Sequence, residues 1–390
     1  MTGVVDHLVA GAVAAGVVAS LTPLTRWLSF RVGAVDHPGP RRVHHRPTAR
    51  LGGLAILLGV LAALAVASQL DSFSQVFSAT SEPLAVGLAA VAVVAVGVID
   101  DVFGLRAPAK LAGQVMAAGV LVLFGVVLRF VYIPGDPGTI VALTPELAGL
   151  VTIGAIVVMI NAVNLTDGLD GLAAGMVAIA AAALLWWTAV AETTRLDIPT
   201  IAPLLLSVIV GACLGFLVHN RPPASVFMGD TGALLLGLLL ATAGISALGP
   251  VVAPTRSDFA AVSVPVLVPA LVLAVPLADT VWAIARRLGS GSGVFAPDKR
   301  HLHHRLLAIG HSPRGTLAIM YGGSAVLAFG AVAISVLPTA LVAAVVATGL
   351  LPIAGAVVWR WRRNGDVVDG SSDAGQASAS PPEPGRREGL

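Results

Sequence analysis

Five polar clusters interrupt an otherwise apolar chain, and the densest is NAVNLTDGLDGLAAG at residues 161–175. Two amides and two carboxylates recur there every three residues: Asn161, Asn164, Asp167 and Asp170. On a straight α-helix each step of three residues falls about 60° short of a full turn, so the first and last would point in opposite directions. Gly168 and Gly171 permit a break that turns all four side chains toward one pocket. The alternative is a polar connector in which Asp170 caps the following helix.

Carboxylates also mark the ends of two apolar runs. Asp100 and Asp101 are adjacent at the first of these ends, where a divalent cation or a shared proton would relieve their repulsion; the alternative is a solvated helix end. Arg106 and Lys110 follow on the same side and are suited to holding phosphate oxygens. Asp230 opens a later apolar run within Gly-Asp-Thr-Gly. We expect it to cap that helix, and a metal-binding role is compatible with capping.

Arginine and histidine form two further clusters. The segment 35–53, VDHPGPRRVHHRPTARLGG, is interpreted either as an anion-binding loop or as a topology signal with affinity for lipid headgroups. The segment 286–314 contains His301, His303, His304 and Arg305 within five residues. Zinc ligands are usually spaced more widely and no cysteine lies nearby, so a cradle for an anion is favoured over a zinc site. A plain basic loop is the alternative.

The composition places these clusters in a membrane protein. The chain has 390 residues, of which 56% are hydrophobic and 11% charged, whereas a soluble domain carries roughly 25% charged residues. Crossing a bilayer takes about 20 apolar residues per helix, and we predict an all-α, polytopic integral membrane protein with about 11 transmembrane helices. The predicted segments are 4–25, 51–70, 83–99, 111–129, 146–162, 171–191, 199–219, 231–248, 260–285, 315–336 and 338–359.

The distribution of basic residues predicts the orientation. Of the 23 Lys and Arg residues, only Arg129, Arg195 and Arg256 fall on the outer side if the N-terminus lies outside. Because cytoplasmic loops carry an excess of Lys and Arg, the N-terminus is predicted outside and the C-terminus in the cytoplasm. The same distribution argues against nucleic-acid binding, which a pI near 9.1 would otherwise suggest. The single cysteine, Cys213, excludes an intrachain disulfide.

With this orientation every polar cluster falls on the cytoplasmic side. The clusters occupy 35–53, 100–110, 161–171, 219–230 and 286–314. A transporter would place its key polar groups near the middle of the membrane, so this arrangement disfavours one. Acids that bind a metal, with Arg, Lys and His for anions, indicate phosphoryl transfer between a soluble and a lipidic substrate. We predict one membrane domain, 1–363, followed by a disordered cytoplasmic tail, 364–390, rich in Ser, Gly, Pro and acids.

Four motifs together resemble those of a known family. DDVFGLRAPAKLAGQ, NAVNLTDGLDGLAAG, VFMGDTGALLLG and PDKRHLHHRL are similar, in order and spacing, to motifs of the polyprenyl-phosphate N-acetylhexosamine-1-phosphate transferases, of the glycosyltransferase family 4 type. The similarity runs from about residue 35 to residue 319. The HLHHR form resembles the UDP-GlcNAc branch more than the muramoyl-pentapeptide branch. One departure is the segment 47–50, where the family usually has a second proline before the arginine.

The resemblance implies a reaction and a set of site residues. UDP-GlcNAc and a polyprenyl phosphate, undecaprenyl or decaprenyl, would give polyprenyl-diphospho-GlcNAc and UMP at the cytoplasmic face of the plasma membrane, the first lipid-linked step of a cell-envelope polysaccharide. Asn164 and Asp230 would hold Mg²⁺, or Mn²⁺ in its place. The implied catalytic residues are Asp100, Asp101 and Asp230, the first two facing the metal and the lipid phosphate. The implied substrate-binding residues are Lys110 for the diphosphate, Asp167, Asp170, Asn220 and Phe227 for uridine, and His301, His303, His304 and Arg305 for the phosphate and sugar end. The implied partners are these two substrates and the bilayer, and a homodimer is compatible with them.

Several alternatives stay open at this point. Within the family, the donor is a different UDP-N-acetylhexosamine or the muramoyl-pentapeptide. A prenyltransferase would need DDxxD or NxxxDxxxD spacing; here Asp100 and Asp101 are followed by Val-Phe-Gly, and Asn164 has its acids three and six residues later. A membrane transporter is the alternative from another class. In the transfer itself, either an aspartate attacks the diphosphate or the lipid phosphate attacks directly. A phosphate with a second pKa of about 6 is mostly dianionic at pH 7, which favours direct attack.

Overall fold

The computed structural model describes residues 2–38, 46–133, 139–191, 199–248, 259–272 and 302–374. These residues are almost entirely helical, as predicted. The helices are α1 (Thr2–Val32), α2 (Gly52–Ala67), α3 (Ser74–Ala79), α4 (Glu82–Phe103), α5 (Ala107–Leu123), α6 (Pro145–Thr166), α7 (Leu172–Ala191), α8 (Ala202–Asn220), α9 (Gly229–Ala247), α10 (Phe259–Val272), α11 (Leu302–Ala308), α12 (Pro313–Ala333) and α13 (Thr339–Ala374). A 3-10 turn, Asp71–Phe73, leads into α3.

Two short antiparallel strand pairs accompany the helices. Strand β1 (Val35–Asp36) pairs with β2 (Thr48–Ala49), and β3 (Phe130–Ile133) pairs with β4 (Thr139–Ala142). Ala49 also forms a parallel bridge with Val226, which joins the segment 35–53 to the segment 219–230. Two of the segments predicted to contain functional residues are therefore connected through their backbones.

Within the described residues, eight helices are long and apolar enough to cross a membrane, and a ninth span results if α2 and the bent segment Asp71–Ala79 are counted together. Helix α2 has 16 residues and α5 has 17, so at 1.5 Å per residue each falls short of a hydrocarbon core of about 30 Å. All eleven predicted segments contain a helix, and the prediction of an all-α membrane protein is confirmed. The exact number of spans and the orientation stay predictions.

Helix α9 is the centre of the described structure. Almost all of its side chains are buried, and it is apolar on every face after its first turn, as a helix enclosed by other helices should be. A Cβ atom on Gly53 would lie 2.1 Å from the backbone N of Gly232, and one on Gly97 would lie 2.5 Å from Cα of Thr231. Both glycines therefore allow α2 and α4 to pack directly against the backbone of the first turn of α9.

Polar contacts also fix the far end of α9. Glu82, in the first turn of α4, accepts hydrogen bonds from the hydroxyl of Ser246 at 2.8 Å and from the N–H of Ile201 at 2.7 Å. This carboxylate connects α4, α8 and α9, and the position of α9 is thus determined at both ends.

The lipid-facing surface is apolar with basic and aromatic ends. In the candidate span Thr339–Arg363 of α13, only 6% of the residues in an apolar 18-residue stretch are buried within the protein. Near the ends of α1 and α13, the guanidinium of Arg31 lies 4.6 Å from the ring centroid of Trp27, and that of Arg363 lies 5.4 Å from that of Trp359. Such aromatic and basic residues are typical of a membrane–water interface. Helix α13 continues to Ala374 and so includes the first eleven residues of the predicted tail; that boundary stays a prediction.

Candidate active site

Asp230 stands at the centre of a cluster of side chains from four helices, α4, α5, α6 and α9. It lies in the first turn of α9, where its Oδ1 accepts a hydrogen bond from Nδ2 of Asn164 on α6 at 2.8 Å. Its Oδ2 contacts Nζ of Lys110 on α5. The expectation that Asp230 caps α9 is wrong, because the capping position is Met228 and no side-chain hydrogen bond is made there. The carboxylate is instead directed at the side chains of α5 and α6.

Asp101 supplies the missing cap from a different helix. Its Oδ1 accepts a hydrogen bond from the N–H of Asp230 at 3.1 Å, and its Oδ2 accepts from the N–H and the hydroxyl of Thr231 at 2.9 and 2.7 Å. The start of a helix carries unsatisfied N–H groups and a partial positive charge, so a carboxylate is stabilised there. Asp101 therefore positions Asp230. Its predicted contact with the metal and lipid phosphate stays a prediction.

Asp100, its neighbour in sequence, faces the cluster. Its Oδ1 accepts a hydrogen bond from the N–H of Leu105 at 2.6 Å, and its Oδ2 lies 3.1 Å from Nζ of Lys110. The three charged side chains keep between 16 and 24% of their surface exposed. The ammonium of Lys110 is thus shared between the carboxylates of Asp100 and Asp230 in a partly buried place. The structure brings together Asp100, Lys110, Asn164 and Asp230, all of which were predicted from the sequence.

The predicted convergence of the four polar residues in 161–171 is only partly correct. Helix α6 runs unbroken to Thr166, so Asn161 and Asn164 lie only about 60° apart around it, yet their side chains reach different partners. Asn161 donates to Oε1 of Gln114 on α5 at 2.7 Å and is not directed at Asp230. The break does occur before α7, where Gly171 has a φ of +80°. Asp170 accepts a hydrogen bond from the N–H of Ala224 at 2.8 Å.

Asn220 joins two of the segments predicted to contain functional residues. Its Oδ1 accepts from the N–H of Gly171 and its Nδ2 donates to the carbonyl of Val226, both at 2.9 Å, and the residue is buried. The N–H of Phe227 donates to the carbonyl of Ala49 at 2.8 Å. Both ends of the Asn220 amide are occupied by backbone groups of the protein, and its predicted role in the uridine pocket stays a prediction, as does that of Phe227.

Asp167 lies just beyond the membrane-spanning part of α6 and is half-buried. Burial raises the pKa of its carboxyl to about 7, the charges of Asp101 and Asp170 act in the same direction, and the charge of Arg50 lowers it. Arg50 was not among the predicted site residues. The basic composition of segment 35–53 marked an anion-binding loop without singling out one arginine. The structure pairs Arg50 loosely with Asp36 at 3.6 Å and leaves 40% of its side chain exposed.

Comparisons with known proteins identify the family. The sequence model described as glycosyl transferase family 4 matches residues 83–248. A decaprenyl-phosphate N-acetylglucosaminephosphotransferase of Mycobacterium leprae (strain TN) is 45% identical over 316 residues, which cover 80% of this chain and 79% of the relative. The chain belongs to glycosyl transferase family 4. The family match spans α4 to α9, the helices that carry Asp100, Lys110, Asn164 and Asp230.

Two further relatives support this family membership. A decaprenyl-phosphate N-acetylglucosaminephosphotransferase of Mycobacterium tuberculosis (strain CDC 1551 / Oshkosh) is 42% identical over 356 residues, covering 89% of this chain and 87% of the relative. A protein of Bacillus subtilis (strain 168), named "Probable undecaprenyl-phosphate N-acetylglucosaminyl 1-phosphate transferase", is 34% identical over 307 residues, covering 77% of each. The predicted family and its GlcNAc branch are therefore confirmed.

The histidine-rich motif is only partly within the described residues of this family 4 chain. His301 lies outside them. His303 and His304 belong to the short helix α11, and Arg305 in the same helix is exposed. Their predicted contact with the phosphate and sugar end of the donor stays a prediction.

The chemistry of the donor set in the Asp230 cluster fits Mg²⁺. The described residues contain no group of three or more His, Cys, Asp or Glu side chains arranged around one point, as a zinc or calcium site would require. Mg²⁺ usually binds through one or two carboxylates, with waters and substrate phosphates completing its shell. Asp230, with Asn164 beside it and Asp100 across the ammonium of Lys110, provides such a partial set of oxygen ligands.

Proposed function

We propose that this chain transfers GlcNAc-1-phosphate from UDP-GlcNAc to a polyprenyl phosphate and releases UMP. The observation that carries the proposal is the cluster of Asp230, Lys110, Asp100 and Asn164 at one end of a helical membrane domain. The names of the relatives supply the substrate class: decaprenyl or undecaprenyl phosphate as acceptor and N-acetylglucosamine phosphate as the transferred group. A transporter is not favoured, because these groups cluster at helix ends.

The location follows from the same features. The distribution of Lys and Arg in the sequence supports a cytoplasmic position for the cluster, where a soluble nucleotide sugar is available. The apolar helices around it give a lipid phosphate access from the membrane. We propose a multi-pass protein of the plasma membrane with a cytoplasmic active site.

Charge repulsion is the main obstacle to the reaction. A phosphate dianion approaching a diphosphate with about two charges gives a repulsion on the order of 10 kcal/mol at roughly 6 Å and an effective dielectric of about 20. Lys110 supplies one cation at the cluster, and Arg50 supplies another at the edge of segment 35–53. Mg²⁺, held by Asp230 and Asn164 with Asp100 nearby, would add charge neutralisation for the phosphate oxygens. The site thereby favours electrostatic stabilisation over acid–base chemistry.

The side chains then have separate roles. Asp101 holds the start of α9, so that Asp230 faces Lys110 and Asn164. Lys110 leaves its carboxylate partners to bind the diphosphate of the donor. An oxygen of the lipid phosphate attacks the β-phosphorus, the bond from that phosphorus to the bridging oxygen breaks, and UMP leaves with both electrons of that bond. Asp167 lies beyond this cluster and is suited to contacting the uridine part of the donor.

A reconstituted assay tests this proposal. The full-length protein in detergent is supplied with Mg²⁺, a polyprenyl phosphate of 50 or 55 carbons and one UDP-sugar at a time, and both UMP and the lipid product are measured. We expect a lipid product whose mass increases by GlcNAc-1-phosphate, and a much lower rate with UDP-GalNAc or UDP-muramoyl-pentapeptide. Asp230→Asn is the inactive control. A preference for another UDP-sugar would overturn the donor assignment. No product with any UDP-sugar, while Asp230→Asn behaves like the wild type, would overturn the enzyme itself.

A further inference from the structure

Three buried side-chain polar atoms in the described part of the chain lack a hydrogen-bond partner, and all three lie near one turn. They are Nε2 of His311, Oγ1 of Thr316 and Nε of Arg360. Buried polar atoms are nearly always hydrogen-bonded, directly or through water or an ion. Three such atoms at one place, with every other described buried side-chain polar atom satisfied, indicate a site for a ligand that supplies the partners.

The three residues meet where α11 ends, α12 begins and α13 passes by. Nη2 of Arg360 donates to the carbonyl of Gly310, which brings the guanidinium beside His311. Ser312 caps α12 and accepts a hydrogen bond from the N–H of Gly315 at 3.1 Å. His311 and Thr316 are therefore the residue before the cap and the fourth residue after it, two positions that lie close together at the start of a helix. We call His311, Thr316 and Arg360 the α12 corner.

The α12 corner is complementary to an anion with several oxygens. The guanidinium N–H and the hydroxyl are donors, and the imidazole is a donor when Nε2 carries its proton. In the described part of the chain no carboxylate forms an ion pair with Arg360. Burial and the charge of Arg360 lower the pKa of His311, as is typical of an imidazole that faces a cation. A phosphate group would satisfy all three donors and balance the charge.

The position of the corner selects the source of that phosphate. Arg360 lies near the end of the candidate span Thr339–Arg363, where Trp359 and Trp361 are more than half exposed. Tryptophans and basic residues at the end of a membrane helix mark the headgroup layer, and basic pockets between helices at this depth bind anionic lipid headgroups. We propose that the α12 corner binds the phosphate of an anionic membrane lipid, at a site separate from the Asp230 cluster.

The consequence for the protein is the positioning of α11 and α12. Helix α11 carries the histidine-rich motif, and Nη2 of Arg314 at the start of α12 lies 3.4 Å from the carbonyl of Pro222 in segment 219–230. A lipid that links α13 to the α11–α12 turn would hold this turn beside that segment. Anionic lipid should therefore stabilise the whole protein and not only the exposed helix α13.

The test compares lipid compositions without measuring turnover. Full-length protein is placed in nanodiscs of phosphatidylcholine alone or with phosphatidylglycerol, and the unfolding temperature and the lipids retained in native mass spectrometry are measured. We expect phosphatidylglycerol to raise the unfolding temperature. Arg360→Gln should lose this increase and bind the lipid at least about tenfold more weakly, because a hydrogen bond to a charged group is lost. Arg362→Gln, which removes the same charge from an exposed neighbour on α13, should keep it.

Thr316→Val keeps the test valid if Arg360→Gln fails to fold. It conserves volume and removes only the hydroxyl, so in phosphatidylcholine alone it should be neutral or slightly stabilising, since that hydroxyl has no protein partner. In phosphatidylglycerol it should lose part of the increase in unfolding temperature. Equal increases in wild type, Thr316→Val and Arg360→Gln would overturn the proposal. A full increase with inorganic phosphate in neutral lipid would overturn the assignment to a lipid headgroup.

Discussion

Nζ of Lys110 lies 3.1 Å from Oδ2 of Asp100 and also contacts Oδ2 of Asp230, so one ammonium bridges carboxylates from α4 and α9. The two acids would repel each other strongly in this partly buried place without it. For their oxygens to take up Mg²⁺, Lys110 has to release them, and the diphosphate of the donor is the anion that can receive it. Binding of metal and donor should therefore be coupled through Lys110.

The first prediction concerns Lys110→Met. This variant should lower turnover by roughly 10²-fold, the usual effect of removing one positioned charge stabiliser. Without metal it should also unfold at a lower temperature than the wild type, because Asp100 and Asp230 lose their counter-ion, and Mg²⁺ should restore more of its stability than it adds to the wild type. Thermal unfolding in EDTA and in Mg²⁺ measures this. The control is Arg106→Gln, an exposed residue on the same side. Equal stabilisation by Mg²⁺ in Lys110→Met and wild type would contradict the shared-ammonium role.

The second prediction separates the roles of Asp101 and Asp230. Asp101→Asn keeps one acceptor oxygen but loses the other, so the first turn of α9 should lose about 1 kcal/mol of stability, the typical value of a helix cap. Thr231→Val should reproduce part of that loss, since it removes one of the three hydrogen bonds to Asp101. Asp230→Asn should abolish turnover with little change in unfolding temperature. If Asp101→Asn abolishes turnover at unchanged stability, Asp101 takes part in the chemistry.

The third prediction concerns the close packing of α4 against α9. A methyl group on Gly97 would lie 2.5 Å from Cα of Thr231, so Gly97→Ala must displace the turn that carries Asp230. Overpacking of this kind costs typically about 1–3 kcal/mol, and turnover should fall with stability. Gly119→Ala on α5 is the matched control: nothing lies within 4 Å of its Cβ position, so it should be neutral or gain stability. Unfolding temperature and UMP release, measured together, check both variants. Equal behaviour of the two variants would contradict the close packing of α4 against the first turn of α9.

The helices could be predicted from the sequence because apolar length alone defines a membrane helix. Apolar length could not decide whether α2 and α5 cross the membrane, because with 16 and 17 residues they are slightly shorter than the roughly 20 residues that a span needs. The β1–β2 pairing and the Ala49–Val226 bridge were not predicted, because pairing between segments far apart in sequence leaves no local pattern. These backbone contacts nonetheless fix the two described parts of the basic segment, residues 35–38 and 46–53.

At the site, residue types were predicted better than orientations. The sequence pointed to Asp100, Lys110, Asn164 and Asp230, and the structure brings them together. It could not show that Asp101 caps α9, because Asp101 is separated in sequence from Asp230 by 129 positions and from Thr231 by 130. It also placed Asn161 in the same pocket as Asn164, because residues three apart lie on one side of a helix, and the spacing does not show that Gln114 of α5 binds Asn161.

The fourth prediction is a pH dependence centred on Asp167. In the folded protein the pKa of its carboxyl is raised from 3.8 to about 7. Between these two pH values the folded state therefore keeps a proton that the unfolded state has lost. Stability should therefore decrease as the pH rises from about 4 to 7. Over this range the unfolding temperature of the wild type should fall relative to that of Asp167→Asn, whose side chain cannot ionise. Parallel curves for the two would contradict the raised pKa.

Arg50 provides the matched variant for this pH dependence. Its charge lowers the pKa of Asp167, so Arg50→Gln should shift the midpoint of the wild-type curve to higher pH. Arg46→Gln removes an exposed charge from the same segment and should leave the midpoint unchanged. A midpoint that moves equally in both variants would indicate a general effect of net charge.

The last prediction concerns whether an aspartate forms a covalent intermediate. Asp100 is engaged by the N–H of Leu105 and by Lys110, and Asp101 by the start of α9. A carboxylate held by such donors is a poorer nucleophile than a lipid phosphate that is already dianionic. An aspartyl intermediate would also place a third anion in a site that receives two. We therefore expect direct attack in a ternary complex.

In the absence of lipid, radiolabelled UMP should not exchange into UDP-GlcNAc, and adding a polyprenyl phosphate should start that exchange by reversing the complete reaction. Exchange without lipid that is lost in Asp100→Asn, or in Asp101→Asn at retained stability, would establish the covalent route instead.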